Sequence, residues 1–201
     1  MDSVFGVKLI IFLVLLCAGS SHGVFVLKPG QCPKVSGQAE FEKSRYFGVW
    51  YEYQRFPDLV EGSLDCTSST FSDAWNGMKV TDKGTRRTDL FGNKLVLRTT
   101  SIDGLATVPD EAKPAELNIV FRGASPTEEA NYIVQDTDYT NYAVVFSCLQ
   151  MRGFNIQYAY ILTRVQGLAP TNLAQLESKL TEAGVDVTEF FVINQKGCPG
   201  M

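Results

Sequence analysis

The sequence predicts an all-β protein: an eight-stranded antiparallel up-and-down β-barrel with one C-terminal α-helix packed outside it. The composition is rich in Tyr, Phe, Val, Thr and Gly, which favour strands and tight turns. From residue 47 onward, stretches of strand-type residues alternate with turn signals. A single segment with helical periodicity interrupts them near the C-terminus. These three observations together indicate one antiparallel sheet and one helix.

The first half of the predicted sheet contains five strand-type stretches. They lie at residues 48–56, 67–75, 78–81, 85–90 and 94–102. Asn76-Gly77, between the second and third, is the strongest short hairpin signal in the chain. Further turns are predicted at Asp82-Lys83-Gly84, Phe91-Gly92-Asn93 and Asp103-Gly104.

The second half continues with stretches at residues 115–121, 130–136, 142–151 and 154–164. The first of them alternates strictly, with Leu117, Ile119 and Phe121 on one face. Because the connections are mostly short, the chain describes a meander of roughly eight strands. Such a sheet packs as a sandwich or closes into a barrel that removes its edges.

The helix is predicted to begin after Pro170, with Thr171 as its N-cap, and to end at Gly184. One apolar stripe, narrow enough for packing against the outside of a sheet, consists of Leu173, Leu176 and Leu180. A further short strand is predicted at residues 189–193. No internal repeat or second domain is indicated.

Residues 1–23 are predicted to be a signal peptide. Lys8 precedes an almost wholly apolar stretch at residues 9–18, which is short for a bilayer span. Ser21 and Gly23 suit the small-residue positions of a cleavage site, and cleavage after Ser20 is an alternative. The expected mature chain, residues 24–201, is one secreted, extracellular domain.

The cysteines indicate disulfide bonds. Cys17 lies in the predicted signal peptide, which leaves an even set in a secreted chain, and two disulfides follow as the default. Sequence alone leaves three pairings open. A zinc site is disfavoured, because no two cysteines have metal-ligand spacing and no histidine accompanies them. The four cysteines are Cys32, Cys66, Cys148 and Cys198.

Charge and histidine content exclude several functions. The net charge of −4, without a basic cluster, provides no electrostatic footprint for nucleic acid. The only histidine, His22, lies in or beside the predicted signal peptide. The mature chain therefore lacks the residue needed for Ser–His or Cys–His pairs and for imidazole-based haem or zinc sites. We predict no catalytic residues, no metal and no cofactor.

Three motifs, in order along the chain, resemble those of the lipocalin family. Residues 46–51, YFGVWY, resemble the Gly-x-Trp signature of lipocalins, with Gly48 and Trp50 at its two fixed positions. Residues 137–142, TDYTNY, resemble the second motif of the family. Residues 159–164, AYILTR, resemble the third. Similarity to the apolipoprotein D group, with bilin-binding proteins and Lazarillo-type lipocalins, rests on Gln31-Cys32-Pro33, Asn141-Tyr142-Ala143 and Cys198-Pro199.

The resemblance implies a structural role for the motif residues and a disulfide pairing. It pairs Cys32 with Cys148 and Cys66 with Cys198, which ties both chain ends to the barrel wall. It also places the Arg164 guanidinium over the Trp50 indole at the closed end of the barrel, and it makes Gly48 of the same motif a structural residue.

The function that the resemblance implies is carriage of a small hydrophobic ligand inside the barrel: a lipid, sterol, fatty acid, retinoid or pigment. If Arg164 points inward, alternate residues of its strand share the inner face. Tyr160 stands where the apolipoprotein D group usually has tryptophan. A filled core without ligand is the competing interpretation. The predicted ligand-binding residues are Phe71, Leu117, Ile119, Phe121, Tyr132, Val134, Tyr158, Tyr160 and Leu162.

Other functions stay open at this point. Related lipocalins carry bilins or carotenoids as colour proteins, and others bind proteins without a small ligand. An enzyme using an unpaired barrel cysteine is disfavoured, because each of the four cysteines of the expected mature chain has a partner available. Apolar residues predicted to be exposed at the open end would form an entrance, contact a lipid surface or support self-association. They are Phe56, Leu59, Val60 and Leu64.

Overall fold

A computed structural model describes residues 25–59, 61–90, 93–125 and 128–199. The predicted signal peptide with Cys17 and His22, as well as Val60 and residues 91–92, lies outside these ranges. Within them, no helix is both long enough and apolar enough to cross a membrane.

The described residues form a closed antiparallel β-barrel, which confirms the predicted fold class. One ten-stranded sheet has the order β1-β9-β8-β7-β6-β5-β4-β3-β2-β10, and pairing of β2 with β9 closes it. The barrel consists of β2 to β9, whereas β1 pairs with β9 and β10 pairs with β2. The strands are β1 (Val26–Pro29), β2 (Gly48–Arg55), β3 (Leu64–Ala74), β4 (Gly77–Leu90), β5 (Asn93–Thr107), β6 (Glu116–Phe121), β7 (Tyr132–Thr137), β8 (Tyr142–Gln150), β9 (Phe154–Thr163) and β10 (Phe191–Val192).

The register defines the two ends of the barrel. Gly48 at the start of β2 pairs with Phe71, and the β3–β4 hairpin turns just beyond, where Ala74 pairs with Gly77. A short helix, α1 (Lys43–Tyr46), lies at this closed end. The connections β2–β3, β6–β7 and β8–β9 lie at the opposite, open end.

Two predicted turns, one around Gly84 and one around Gly104, are wrong because β4 and β5 run straight through them. Both glycines make room for a neighbouring side chain. A Cβ at Gly84 would lie 2.7 Å from Leu64 Cδ1, and one at Gly104 would lie 2.9 Å from Phe121 Cδ1. Glycine inside a strand therefore marks a close approach here and not a turn.

The C-terminal helix, α2 (Leu173–Glu182), lies where the sequence predicts it, but its first residue is shifted. Thr171 as N-cap is wrong: Asn172 occupies that position, because the Leu173 N–H first donates to the Pro170 carbonyl in a separate turn. Gly184, with φ of +87°, ends the helix as predicted.

The apolar stripe of α2 packs against the outside of the barrel. Leu176 and Leu180 are fully buried there, and Leu173 is partly buried. Phe56 joins the same outer cluster, with its ring centroid 4.7 Å from that of Phe190, so its predicted exposure is wrong. Leu59, in contrast, is exposed as predicted. Aromatic packing against the C-terminal segment explains the burial of Phe56.

Candidate ligand-binding cavity

The barrel encloses a cavity of about 320 Å³. Its wall is assembled from alternate residues of the strands, because successive side chains on a strand point to opposite faces. Most of the wall is apolar or aromatic. Seven of the nine predicted ligand-binding residues line it: Phe71, Ile119, Phe121, Tyr132, Tyr158, Tyr160 and Leu162.

Leu117 and Val134 do not line the cavity. Both are fully buried and belong to the packed cluster inside the barrel that also contains Trp50. Alternation along a strand places both residues on the inner face, but it does not predict how far each lies from the closed end of the barrel. β6 begins at the closed end, so Leu117 lies deeper than Ile119 and Phe121 on the same strand.

Several polar lining residues were not predicted. Glu52, Glu61 and Asp82 contribute carboxyl groups to the cavity wall. A signal for Asp82 exists in the sequence, since Val80 and Asp82 stand two residues apart and alternate residues of a strand share one face. The turn wrongly predicted at Asp82-Lys83-Gly84 ended the strand before Asp82, so Asp82 was not assigned to the inner face. The other unpredicted lining residues are Ser69, Val80, Asn131, Ser147, Cys148 and Leu149.

A fully buried arginine lies beside the cavity. Arg55 Nη1 donates to Glu52 Oε2 at 2.7 Å and lies 3.7 Å from Glu61 Oε2. Arg55 Nη2 donates to the Leu64 carbonyl at 3.1 Å and to the Glu61 carbonyl. The Thr67 hydroxyl also donates to Glu52 Oε2, at 2.7 Å. Although burial acts to lower the pKa of Arg55, the neighbouring carboxylates, Glu52 foremost, raise it above its usual value.

Two of the carboxyl groups in the wall hold their protons unusually tightly. Burial raises the pKa of Asp82 to about 7, with a hydrogen bond from Ser69 opposing the rise and the charge of Glu52 adding to it. Burial, followed by the charge of Glu52, raises the pKa of Glu61 well above its usual value. Asp82 Oδ1 and Glu61 Oε2 are buried without a hydrogen-bond partner.

Replacing Asp82 by asparagine is expected to stabilise the fold at pH 8 but not at pH 4. The pKa of this carboxyl is about 7 in the fold against 3.8 as the reference value, so the unfolded chain ionises first as pH rises. The contribution of Asp82 to stability therefore falls between about pH 4 and pH 7, by about 1.4 kcal/mol per pKa unit. Asparagine does not titrate and removes this loss.

Urea unfolding at both pH values measures this effect. The free energy of unfolding of the Asp82→Asn variant should exceed that of the unmodified protein by about 2–4 kcal/mol at pH 8 and by less than about 1 kcal/mol at pH 4. Asp73→Asn, at an exposed carboxyl on β3, is the matched control and should stay within about 0.5 kcal/mol at both pH values. An equal gain at pH 4 and pH 8 would contradict the ionisation argument.

The tyrosines supply neutral hydroxyl groups. The Tyr132 and Tyr46 hydroxyl oxygens are 3.1 Å apart, so a hydrogen bond joins the cavity wall to the packed closed end. Burial is the main cause that raises the pKa of Tyr132 and of Tyr160. Both residues therefore remain protonated phenols over the physiological pH range and bring no charge to the cavity.

The closed end has the stacking that the resemblance implied. The Arg164 guanidinium carbon lies 3.6 Å from the centroid of the fully buried Trp50 ring, and Trp50 Nε1 donates to the Tyr46 carbonyl at 2.9 Å. Gly48 has φ of +101°, and a Cβ there would lie 3.1 Å from Arg164 Nη1. Glycine thus permits both the backbone conformation and the approach of the arginine.

Two disulfides fasten the chain ends to the barrel, with the predicted pairing confirmed. Cys32 joins Cys148, and Cys66 joins Cys198. The first holds the N-terminal segment against β8, and the second holds the C-terminal segment against β3. Within the described ranges, no group of three or more His, Cys, Asp or Glu residues is arranged to hold a metal ion.

Comparison with known proteins agrees with this architecture. Residues 41–195 match the family model of the lipocalin-like domain. The chain is 31% identical over 195 residues to apolipoprotein D of Macaca fascicularis, covering 93% of this chain and 97% of the relative. It is 32% identical over 172 residues to apolipoprotein D of Oryctolagus cuniculus, covering 85% of each chain.

A solved structure shares the fold. Insecticyanin from the tobacco hornworm Manduca sexta superposes with a TM-score of 0.71 at 19% identity, covering 86% of this chain and 90% of insecticyanin. The family-model match and the two apolipoprotein D matches agree with the barrel and the outer helix of this structure. The protein is therefore a member of the lipocalin family, in the branch that contains apolipoprotein D.

Proposed function

We propose that this lipocalin is a secreted, non-catalytic carrier that is released from residues 1–23 and holds one small hydrophobic ligand in its barrel. The observation that carries the proposal is the cavity of about 320 Å³ with its mainly apolar wall. Ligand pockets usually measure roughly 300–1,000 Å³ and combine apolar walls with a few polar groups. The family to which the chain belongs supports carriage over catalysis.

The binding energy would come from removing apolar ligand surface from water, at about 25 cal/mol per Å² before ordering costs. A preformed cavity keeps those ordering costs small. Two disulfides and a closed sheet hold the wall of this cavity in place. The four cysteines in the described ranges all belong to these disulfides, so none of them offers a thiolate nucleophile.

Filling the cavity is expected to weaken binding of a neutral hydrophobic probe. Ile119→Trp places a larger ring in the cavity wall and should weaken binding of N-phenyl-1-naphthylamine by about tenfold or more, measured by fluorescence titration. Val192→Trp is the matched control, because Val192 is exposed on β10 and does not line the cavity, so the affinity of this variant should be unchanged. Equal weakening by both variants, or no binding by the unmodified protein, would contradict carriage.

The bound ligand can be identified in protein purified from its native source. Extraction and mass spectrometry should find a stoichiometric apolar compound, and a visible absorbance band would make that compound a bilin or carotenoid pigment instead of a colourless lipid. An empty protein that also rejects hydrophobic probes would favour a protein-interaction role. Contact with a lipid surface and self-association stay predictions, which liposome flotation and sedimentation over micromolar concentrations would test.

A further inference from the structure

The polar side of the cavity is acidic. Glu52, Glu61 and Asp82 line it, and within the described ranges no lysine, arginine or histidine does so. Asp58 adds a fourth carboxyl to the electrostatic surroundings of Glu61, against the single guanidinium of Arg55. Four carboxyl groups surround one cation, so the cluster is negatively charged whenever more than one of them is ionised.

The three lining carboxyl groups differ in what they still offer to a ligand. Glu52 Oε2 already accepts from Arg55 Nη1 and from the Thr67 hydroxyl, both at 2.7 Å. Glu61 Oε2 lies 3.7 Å from Arg55 Nη1, beyond hydrogen-bond range, and has no hydrogen-bond partner. Asp82 Oδ1 is likewise buried and unpartnered. Glu61 and Asp82 thus line the cavity, and each contributes a buried carboxyl oxygen that has no hydrogen-bond partner.

Buried acceptors without donors are costly, and a ligand that supplies donors removes that cost. We propose, building on the proposed carrier function, that the cavity selects apolar amines over apolar carboxylic acids, with the ammonium group donating to Glu61 and Asp82. An ammonium group brings three donors and a positive charge, and charge-assisted hydrogen bonds are strong in a dry site. A carboxylate would bring only acceptors and a like charge.

The neighbouring cations lie outside the cavity wall. Lys83, Arg86 and Arg98 are exposed and line a separate surface pocket at the rim, which shares Glu61 and Asp82 with the cavity. Water screens exposed charges far more than buried ones. The rim cations therefore offset the acidic cluster only weakly. The competing possibility is that these rim cations bind the head group of an anionic ligand, and the experiment must distinguish it from amine selection.

Competition among ligands with one tail and different head groups tests the selection. Dodecylamine, dodecanol and dodecanoate are titrated below their micelle concentrations against bound N-phenyl-1-naphthylamine, near pH 7.5. We expect dodecylamine to displace the probe at a concentration about tenfold or more below that of dodecanoate, with dodecanol between them. In the Glu61→Gln/Asp82→Asn variant, the concentrations of dodecylamine and dodecanoate that displace the probe should agree within about threefold.

Proton release provides a second measurement. The pKa of Asp82, about 7 without ligand, should fall when an ammonium group binds beside it. Calorimetry near pH 6 in two buffers of different ionisation enthalpy should therefore show proton release on binding of dodecylamine, none on binding of dodecanol, and a smaller release from the Asp82→Asn variant. The groups that face Asp82 are Glu52, Glu61, Ser69, Tyr132 and the rim residues Lys83, Arg86 and Arg98.

Each outcome decides between the two proposals. Binding of all three ligands with equal affinity, or a preference for dodecanoate, overturns amine selection and leaves the carrier function intact. A preference for dodecanoate that Arg86→Gln removes would place an anion at the rim. Failure of the neutral probe and all three ligands to bind overturns the carrier function itself. An amine preference that persists in the Glu61→Gln/Asp82→Asn variant overturns the assignment to these two carboxyl groups.

Discussion

Removal of the Cys66–Cys198 disulfide is expected to lower the unfolding free energy by about 5 kcal/mol. The bond joins residues 132 apart in sequence, so it restricts a very long loop of the unfolded chain. A domain is usually stable by only about 5–15 kcal/mol, so the Cys66→Ala/Cys198→Ala variant should unfold at far lower urea concentration. Equilibrium urea unfolding, with the remaining disulfide kept oxidised, measures the loss.

The second disulfide gives a matched control. Cys32 and Cys148 are 116 residues apart, and the loop-closure term varies only with the logarithm of this number. The Cys32→Ala/Cys148→Ala variant should therefore lose the same free energy within about 0.5 kcal/mol. A loss below about 2 kcal/mol for either variant would contradict the unfolded-state argument and indicate that native contacts alone hold the segment.

Native contacts do hold the C-terminal segment in part. Arg87 donates to the Lys196 carbonyl at 2.7 Å, and the Gln195 amide donates to the carbonyls of Glu52 and Thr67. These hydrogen bonds should keep the segment in place once the variant has folded. The cavity and its neutral-probe affinity are then expected to survive in the folded fraction, because Cys66 and Cys198 do not line the cavity.

The fold was predictable because local signals agree with the global architecture. The Asn76-Gly77 turn joins β3 to β4 as predicted, and alternation along β6 assigns Leu117 and Ile119 to the inner face. The errors at Gly84 and Gly104 share one physical cause. Glycine relieves a clash between neighbouring strands as readily as it permits a turn, and a sequence without its strand pairing cannot separate the two.

The site was predictable in its apolar part and not in its acidic part. The resemblance turns Arg164 inward, and period-two alternation from that residue then selects Tyr158, Tyr160 and Leu162 on the inner face. Glu61 lies in the connection between β2 and β3, where no periodicity applies. Its position in the cavity follows from the buried Arg55, which donates to the Glu61 carbonyl and lies 3.7 Å from the Glu61 carboxyl oxygen Oε2.

Replacing Trp50 by alanine is expected to lower the unfolding free energy by about 3–5 kcal/mol. The indole is fully buried at the closed end, its ring centroid lies 4.9 Å from that of Tyr46, and the guanidinium of Arg164 stacks on it. Arg164 also donates to the Val49 and Tyr139 carbonyls, both at 2.9 Å. Truncation therefore leaves a void and removes the surface that orients this arginine. Urea unfolding followed by circular dichroism measures the loss.

The second tryptophan of the chain is the matched control. Trp75 in the β3–β4 turn is completely exposed, so Trp75→Ala should change the unfolding free energy by less than about 0.5 kcal/mol. Fluorescence separates the two further: Trp75→Ala leaves only the buried indole, whose emission should be blue-shifted and move to longer wavelength on unfolding. Trp50→Ala leaves only the exposed indole, whose emission maximum should barely move. Equal destabilisation by both variants would contradict the view that the Trp50–Arg164 stack forms the packed base on which the cavity wall rests.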